Sequence, residues 1–291
     1  MALFGRKPVN PEAAQLAQAD QARLAAGGLP LGAEMRLTEL RKNGKFFTSN
    51  LSVNELALAA TEGVRPLGQV MGSTVYHVGW QYTPVYASTE LTALTHAQRD
   101  ARRLAISRLQ QEARILGAHG VVGVRLERKL YEWGTNLIEF AASGTAIALP
   151  DRPVPKDPFV CALSGQEFYA LRRGGFFPVG FAFGTCTYYH VASYGNQWIS
   201  QSWNNVELTD FTKAIYHTRH AAMTRLTAEA NHVHAEGVVG VTIEDYIHTH
   251  EVEVNDQSRR DLIVEFTALG TAITTDGPDT LTIDYALPLN G

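Results

Sequence analysis

The sequence predicts an α+β fold in which two tandem copies of a small domain follow an N-terminal helical arm. Each copy combines an antiparallel-type sheet with one long helix. The first observation behind this prediction is an internal repeat, because GVVGV at residues 120–124 recurs at residues 237–241. The second is that GTAI at residues 144–147 recurs at residues 270–273. Self-similarity of this kind indicates that one structural unit has been duplicated.

The two halves align along most of their length, with two changes of offset. The offset is 112 residues at first, then 117, and finally 126. The two steps, of five and nine residues, predict loop insertions in the second copy. Representative pairs are Ser52 with Ser164 and Gly72 with Gly184 at the first offset, Arg102 with Arg219 at the second, and Glu139 with Glu265 at the third.

Residues 1–45 stand outside the repeat and predict a short helix on a mobile arm. Asn10 suits an N-cap and Pro11 suits the first helical position. The apolar stripe is thin, since it consists of Leu16 and Leu24 with alanines. We therefore expect this arm to dock weakly on the rest of the protein.

Each copy should begin with a short helix whose N-terminus is stabilised by a capping box. Ser52 with Glu55, and Ser164 with Glu167, have the Ser-x-x-Glu spacing in which the two side chains cap each other's backbone. The glutamates are thus interpreted as folding devices. Strands follow that are rich in Val, Tyr and Thr and that carry glycines four residues apart, which suggests a bulge or a second backbone packed close. The predicted strands are residues 66–78, 121–130 and 137–149, with counterparts at 178–191, 238–247 and 262–274.

Between the first and second strand of each copy lies a predicted long helix. Apolar residues recur there at steps of three and four, which indicates one buried stripe. Arg108 and Glu112 lie one turn apart and recur as Arg225 and Glu229, so each pair is predicted to form a solvated ion pair. In the first copy the stripe consists of Leu94, Ala97, Ala101, Leu104, Ala105, Leu109, Ala113 and Leu116.

Composition limits the possible functions. The 291 residues, 45% of them hydrophobic, are enough for two globular domains. A net charge of −4 argues against a nucleic-acid partner. We expect no membrane span, no secretory signal and a cytoplasmic location, with Cys161 and Cys186 as buried free thiols. The predicted parts are an extension at 1–45, copies at 46–150 and 159–275, and a tail at 276–291.

The motifs that end each copy resemble the YbjQ-type family, which carries a heavy-metal-binding label. GAHGVVGV at 117–124 with SGTA at 143–146, and AEGVVGV at 235–241 with LGTA at 269–272, carry the resemblance. It covers about residues 46–149 and 159–274. The resemblance implies a small α+β domain whose single-domain members form pentameric rings. Two domains in one chain leave open a pentamer with stacked tiers or a ring of ten alternating domains.

Histidine is the only plausible class of metal donor in this sequence, because short cysteine pairs and a His-Glu-x-x-His helix are absent. Seven of the ten histidines lie in the second copy. His217 and His220 are one helical turn apart, and His248 and His250 would share a strand face with Glu244. These five residues are the candidate ligands for a divalent transition metal. The alternative is that they are ordinary half-exposed polar residues, since the first copy has Lys129, Tyr131 and Trp133 near the positions of Tyr246, His248 and His250.

Motifs of catalysis are lacking. GVVGV enters a strand from a helix, which is the reverse of a phosphate-binding loop, and no Gly-x-Ser-x-Gly turn occurs. Cys186 and His190 are four residues apart on a strand, about 13 Å, which is too far for His190 to activate the thiol. Trp198 and Trp203 in the enlarged second-copy loop are candidates for binding a partner protein, with packing beneath the loop as the alternative.

These observations favour a cytoplasmic, non-enzymatic scaffold or binding protein that forms a homo-oligomeric ring, with a pentamer as the first expectation. An unidentified protein partner is compatible with this prediction. Metal binding or metal sensing through the second-copy histidines is the alternative. A hydrolase with an active site at a subunit interface is the second alternative.

Overall fold

The computed structural model describes residues 11–44, 47–78, 86–130, 137–193, 205–254 and 257–275. The fold is α+β, as predicted, with antiparallel sheets and one long helix in each copy. The helices are α1 Pro11–Ala25, α2 Leu31–Asn43, α3 Val53–Thr61, α4 Thr92–Leu116, α5 Gly165–Arg173 and α6 Thr209–His232. The strands are β1 Arg65–His77, β2 Thr89–Glu90, β3 Gly120–Leu130, β4 Leu137–Ala148, β5 Phe159–Val160, β6 Phe176–His190, β7 Gly237–Val254 and β8 Gln257–Thr275.

Two four-stranded sheets carry the fold. Their strand orders are β1-β4-β3-β5, called here sheet 1, and β2-β6-β8-β7, called sheet 2. All pairings are antiparallel except the short β3–β5 pairing. The predicted strands of each copy therefore meet in one sheet, but each sheet also holds a two-residue strand from the other copy. This exchange of strands was not predicted from the sequence.

The long helices lie against the sheets where glycine allows close approach. A Cβ atom on Gly72 of β1 would lie 2.1 Å from the carbonyl oxygen of Ala105 in α4. A Cβ on Gly184 of β6 would lie 2.0 Å from the carbonyl oxygen of Ala222 in α6. The expectation that a second backbone packs close to these glycines is confirmed. The apolar stripe of α4 is likewise buried against sheet 1.

Four layers result from these contacts. The α4 helix lies between the inner face of sheet 1 and one face of sheet 2, because its Leu109 belongs to the core of sheet 1 while its Gln98 reaches Thr185 of β6. The α6 helix covers the opposite face of sheet 2, where Leu226 packs with Cys186 and Phe266. The order is sheet 1, α4, sheet 2, α6.

The N-terminal arm is more firmly docked than its sequence suggested. The arm contains two helices in place of the one predicted, and Leu37 of α2 is completely buried in the core around α4. Arg41 of α2 donates a hydrogen bond to the carbonyl oxygen of Ile115 at 3.1 Å. The expectation of weak docking was wrong because it considered only the thin stripe of α1.

Both capping boxes form as predicted. In α3 and α5 the serine hydroxyl accepts from the backbone N–H three residues on, and the glutamate accepts from the serine N–H.

The intrahelical Arg108–Glu112 ion pair does not form. Arg108 instead donates to the carbonyl oxygen of Ser73 at 2.6 Å, and Glu112 accepts from the N–H of Met71 at 2.9 Å. Both side chains are buried; Arg108 also donates to the carbonyl oxygens of Leu24 at 3.0 Å and Gly28 at 3.2 Å, and Glu112 pairs with Arg36 of α2 at 3.4 Å.

No helix among the described residues is long and apolar enough to span a membrane.

Candidate functional site

The joint between the two copies holds a concentration of buried polar contacts, and it is the candidate functional site. Its first element is the parallel pairing of β5, at the start of the second copy, with β3 of the first copy. Cys161 N–H donates to the carbonyl oxygen of Val121 at 2.9 Å. Val124 N–H donates in return to the carbonyl oxygen of Cys161 at 3.0 Å, and Gly123 N–H donates to that of Leu163 at 2.8 Å. The GVVGV motif thus supplies a sheet edge to the other copy.

A glycine and an aromatic ring fix the register of this pairing. Phe159 lies directly opposite Gly120, and a Cβ atom on Gly120 would lie 2.3 Å from the Phe159 ring. Phe159 also packs against Phe168 and Phe177, with ring centroids 5.7 and 5.1 Å away. The first glycine of GVVGV therefore leaves room for an aromatic residue of the neighbouring domain.

The second element is a reciprocal exchange from the first copy to the second. Strand β2 adds to β6 through the pairs Thr89 with Tyr189 and Glu90 with Tyr188. Leu91 N–H donates to the carbonyl oxygen of Thr187 at 2.8 Å. Each copy thus donates a short strand to the sheet of the other.

The third element is a buried polar cluster between α4 and sheet 2. Arg102 is 1% exposed, donates to Thr267 Oγ1 at 3.1 Å and to Gln98 Oε1 at 3.4 Å, and lies over the Phe140 ring at 4.4 Å. Gln98 donates to Glu265 Oε2 at 3.1 Å. Burial lowers the pKa of Arg102 to about 10, while the nearby Glu244 and Glu265 carboxylates partly oppose that shift.

An ion pair extends the cluster. Arg128 of β3 contacts Glu265 of β8, and its guanidinium lies 4.9 Å from the centre of the Tyr246 ring. Because buried charges are costly to leave unpaired, these contacts fix the orientation of one copy relative to the other. The arrangement is suited to holding two domains together.

Both cysteines are free and buried, as predicted. Burial raises the pKa of Cys161 to about 12 and that of Cys186 to about 11. Thr271 Oγ1 donates to Cys161 Sγ at 3.8 Å. Thiols of this kind are poor nucleophiles at neutral pH.

The candidate metal ligands lie on two different sides of sheet 2. His217 of α6 packs on the Tyr188 ring, with centroids 4.6 Å apart, on the face that α6 covers. Glu244 lies on the other face, 3.9 Å from Arg102, and strand alternation places His248 and His250 on that same face. The predicted strand that carries Glu244, His248 and His250 is confirmed. Sheet 2 nevertheless separates these residues from His217 and His220. Within the parts of the chain that the structure describes, no three His, Cys, Asp or Glu side chains form a group that could hold a metal ion.

Trp198 and Trp203 fall outside the described residues. His119 is buried beneath the segment that links the copies, where Nδ1 accepts from the N–H of Leu149 at 3.2 Å. Its Nε2 therefore carries the proton and donates to the carbonyl oxygen of Arg152 at 2.8 Å. Both ring nitrogens of His119 are therefore engaged in hydrogen bonds to the backbone.

Comparisons with known proteins identify a matching family and a relative that aligns over most of the chain. The YbjQ-type family model, described as "Putative heavy-metal-binding", matches residues 58–150 and 200–276. The chain is 38% identical over 258 residues to the encapsulin nanocompartment protein Rv1762c of Mycobacterium tuberculosis. That alignment covers 84% of this chain and 93% of the relative. No solved structure gives a significant match.

Proposed function

This chain belongs to the YbjQ-type family, and from that membership we propose that it is a non-enzymatic scaffold whose copies assemble into a closed ring. The relative named as an encapsulin nanocompartment protein supports assembly, because it aligns over almost its whole length. The family resemblance, which implies pentameric rings for single-domain members, supports closure. A ring of these chains would act by position, presenting its loops to partners at several equivalent places.

The observation that carries this proposal is the joint between the copies. Strand β5 of the second copy adds to β3 of the first, while the first copy supplies β2 to the second. The surfaces that meet are different on the two sides, so the joint is head-to-tail. Contacts of that type continue from one subunit to the next and generate rings when the rotation closes.

Light scattering of the purified, untagged chain at micromolar concentration tests the proposal. We expect a single species whose mass is an integral multiple, five or another ring number, of 31.9 kDa. A monomer of 31.9 kDa would overturn the scaffold proposal. An open distribution of sizes that grows with concentration would retain assembly but refute closure.

Metal binding is a second candidate function, favoured by the family description and by the seven histidines in the second copy. We propose two separate pairs as its donors, His217 with His220 and His248 with His250, the latter joined by Glu244. Each pair offers two imidazoles on an exposed surface. Since sheet 2 lies between the pairs, water or another subunit would have to complete either site.

Elemental analysis of untagged protein, followed by zinc, copper and nickel titration, tests this second candidate. We expect saturable binding in which the His248→Asn, His250→Asn variant loses one site and the His217→Asn, His220→Asn variant loses the other. His232→Asn, an exposed histidine at the end of α6, is the matched control and should leave binding unchanged. Binding that survives substitution of all five candidates would refute the assignment.

A further inference from the structure

Each surface that forms the joint inside the chain has a counterpart elsewhere in the repeat, and none of the described residues covers these counterparts as the joint surfaces are covered. We propose that these uncovered surfaces bind each other between subunits, so that a second copy of this chain docks head-to-tail through a repetition of the internal joint. The inference rests on the proposed self-assembly and specifies its surfaces.

The front face belongs to the first copy and consists of residues 47–51 with the outer side of β1. Their counterparts in the second copy are residues 159–163 and β6, which the first copy covers. Met71 is 52% exposed whereas its counterpart Phe183 is 4% exposed, and Val75 is 56% exposed whereas Thr187 is fully buried. The first copy thus exposes apolar side chains at positions whose counterparts in the second copy are buried.

The rear face belongs to the second copy and consists of residues 237–241 of β7, residues 206–207 and the outer side of α6. Among the described residues, β7 is the last strand of sheet 2 and has no strand on its outer side. Val241 is 40% exposed, whereas its counterpart Val124 is 4% exposed beside β5. Arg219, the counterpart of the buried Arg102, is exposed on α6.

The rear face already has the geometry of the internal joint. Gly237, the counterpart of Gly120, has open space where Phe159 lies in the joint, since among the described residues only Ile273 Cγ1, at 3.9 Å, lies within 4 Å of its Cβ position. Leu208 precedes α6 with φ −82° and ψ 77°, and Leu91 precedes α4 with φ −81° and ψ 77°. Residues 206–207 therefore approach the start of α6 along the same path by which β2 approaches the start of α4.

The register of the internal joint specifies the contacts between subunits. Phe159 opposite Gly120 becomes Phe47 of the partner subunit opposite Gly237. The bond from Val124 N–H to Cys161 becomes a bond from Val241 N–H to the carbonyl oxygen of Ser49 of the partner subunit. By the same rule, residues 206–207 pair with the end of β1 in the partner subunit. Phe47 is present at the required place, and it is exposed in the single chain.

The joint between subunits is more apolar than the internal one. Gln98 corresponds to Ile215, Thr187 to Val75, and Thr267 to Ala141, so apolar side chains replace three uncharged polar residues of the internal joint. Arg219 is retained as the cation facing Glu127 and Glu139 of the partner subunit. Arg128 corresponds to Asp245, so its ion pair with Glu265 is not repeated. Burial of apolar surface therefore drives this association.

A cysteine cross-link tests the docking directly. Val121 lies opposite Val160 in the joint, so Val238 should lie opposite Thr48 of the partner subunit. Adjacent strands lie about 4.8 Å apart, which falls within the roughly 4.4 to 6.8 Å that a disulfide spans between Cα atoms. We expect the Thr48→Cys, Val238→Cys double variant to form covalent oligomers on mild oxidation, seen as a ladder in non-reducing electrophoresis.

Met35→Cys with Val238→Cys is the matched control, because Met35 is exposed on α2 and lies outside both faces. This control should remain at the mass of one chain in the same gel. If light scattering shows an assembly but the Thr48 and Val238 pair gives no more cross-linking than the control, the docking inference is overturned while the scaffold proposal stands. A monomer in light scattering overturns both.

Discussion

The guanidinium of Arg102 donates a hydrogen bond to the hydroxyl of Thr267 at 3.1 Å, and this bond crosses from the long helix of the first copy to the last strand of the second. Its counterpart in the second copy, Arg219, is exposed. One arginine of the repeat is therefore committed to the internal joint, and the other is available at the outer surface of α6. This asymmetry is the basis of the proposed assembly.

Replacing Arg102 with alanine should destabilise the chain by about 3 to 5 kcal/mol. The change removes the buried cation beside Glu244, leaves Arg128 as the cation paired with Glu265, breaks the bonds to Thr267 and Gln98, and opens a cavity over Phe140. Urea unfolding measures the effect as a shift of the midpoint. Arg99→Ala, on the same helix with a side chain 39% exposed, is the control and should change the free energy of unfolding by less than about 0.5 kcal/mol. An equal loss in both variants would contradict the role of Arg102 in the joint.

Substitution of Gly184 by alanine should destabilise the second copy by about 3 kcal/mol or prevent folding. The new Cβ would lie 2.0 Å from the carbonyl oxygen of Ala222 and 2.4 Å from the amide nitrogen of Leu226, so α6 must move away from the sheet. Thermal unfolding followed by circular dichroism provides the measurement. Gly32→Ala in α2 meets no atom of another described element within 4 Å and should leave stability unchanged or slightly increased. A Gly184→Ala protein with the same melting temperature as the wild type would show that α6 does not pack this close to sheet 2.

The sequence predicted those features that depend on local pattern. Ser52 and Ser164 have capping partners three residues away, and Gly72 and Gly184 repeat at one offset, so short-range spacing was sufficient to identify them. The antiparallel strands and long helices followed from hydrophobic periodicity in the same way.

The joint could not be predicted because its contacts are distant in sequence and its strands are very short. Strands β2 and β5 have two residues each, which is too few for a periodicity to show. Gln98 reaches Glu265 from 167 residues away, and nothing near either residue indicates the other. One signal of the joint was present in the sequence. Phe159 recurs as Phe47 at the first offset, and no capping or helical pattern explains either aromatic residue.

Both cysteines should resist alkylation in the folded protein. Burial raises the pKa of Cys161 to about 12 and of Cys186 to about 11, so at pH 8 the thiolate fractions are about 1 in 10,000 and about 1 in 1,000. Mass spectrometry after iodoacetamide treatment at pH 8 should find no label without denaturant and two labels in urea. Met35→Cys supplies an exposed thiol as the internal control and should react within minutes. Fast labelling of either native cysteine in the folded chain would contradict its burial.

A mixing experiment distinguishes head-to-tail docking from a symmetric dimer. Val75→Glu places a charge on the front face, and Gly237→Val fills the space expected to receive Phe47 of the partner subunit. Neither change should disturb folding, because Val75 is 56% exposed and the nearest atom of the described residues to the Cβ position of Gly237 is 3.9 Å away. Each variant alone should be a monomer of 31.9 kDa in light scattering. Met35→Glu, outside both faces, should assemble like the wild type.

Mixing the two variants should produce one species with twice the mass of the 31.9 kDa chain. The intact rear face of the Val75→Glu chain binds the intact front face of the Gly237→Val chain, and the two blocked faces stop further growth. A two-fold interface uses the same surface on both subunits, so a single blocked surface would abolish it and mixing would give no new species. A mixture that stays monomeric, or single variants that still assemble fully, would therefore contradict head-to-tail docking through these two faces.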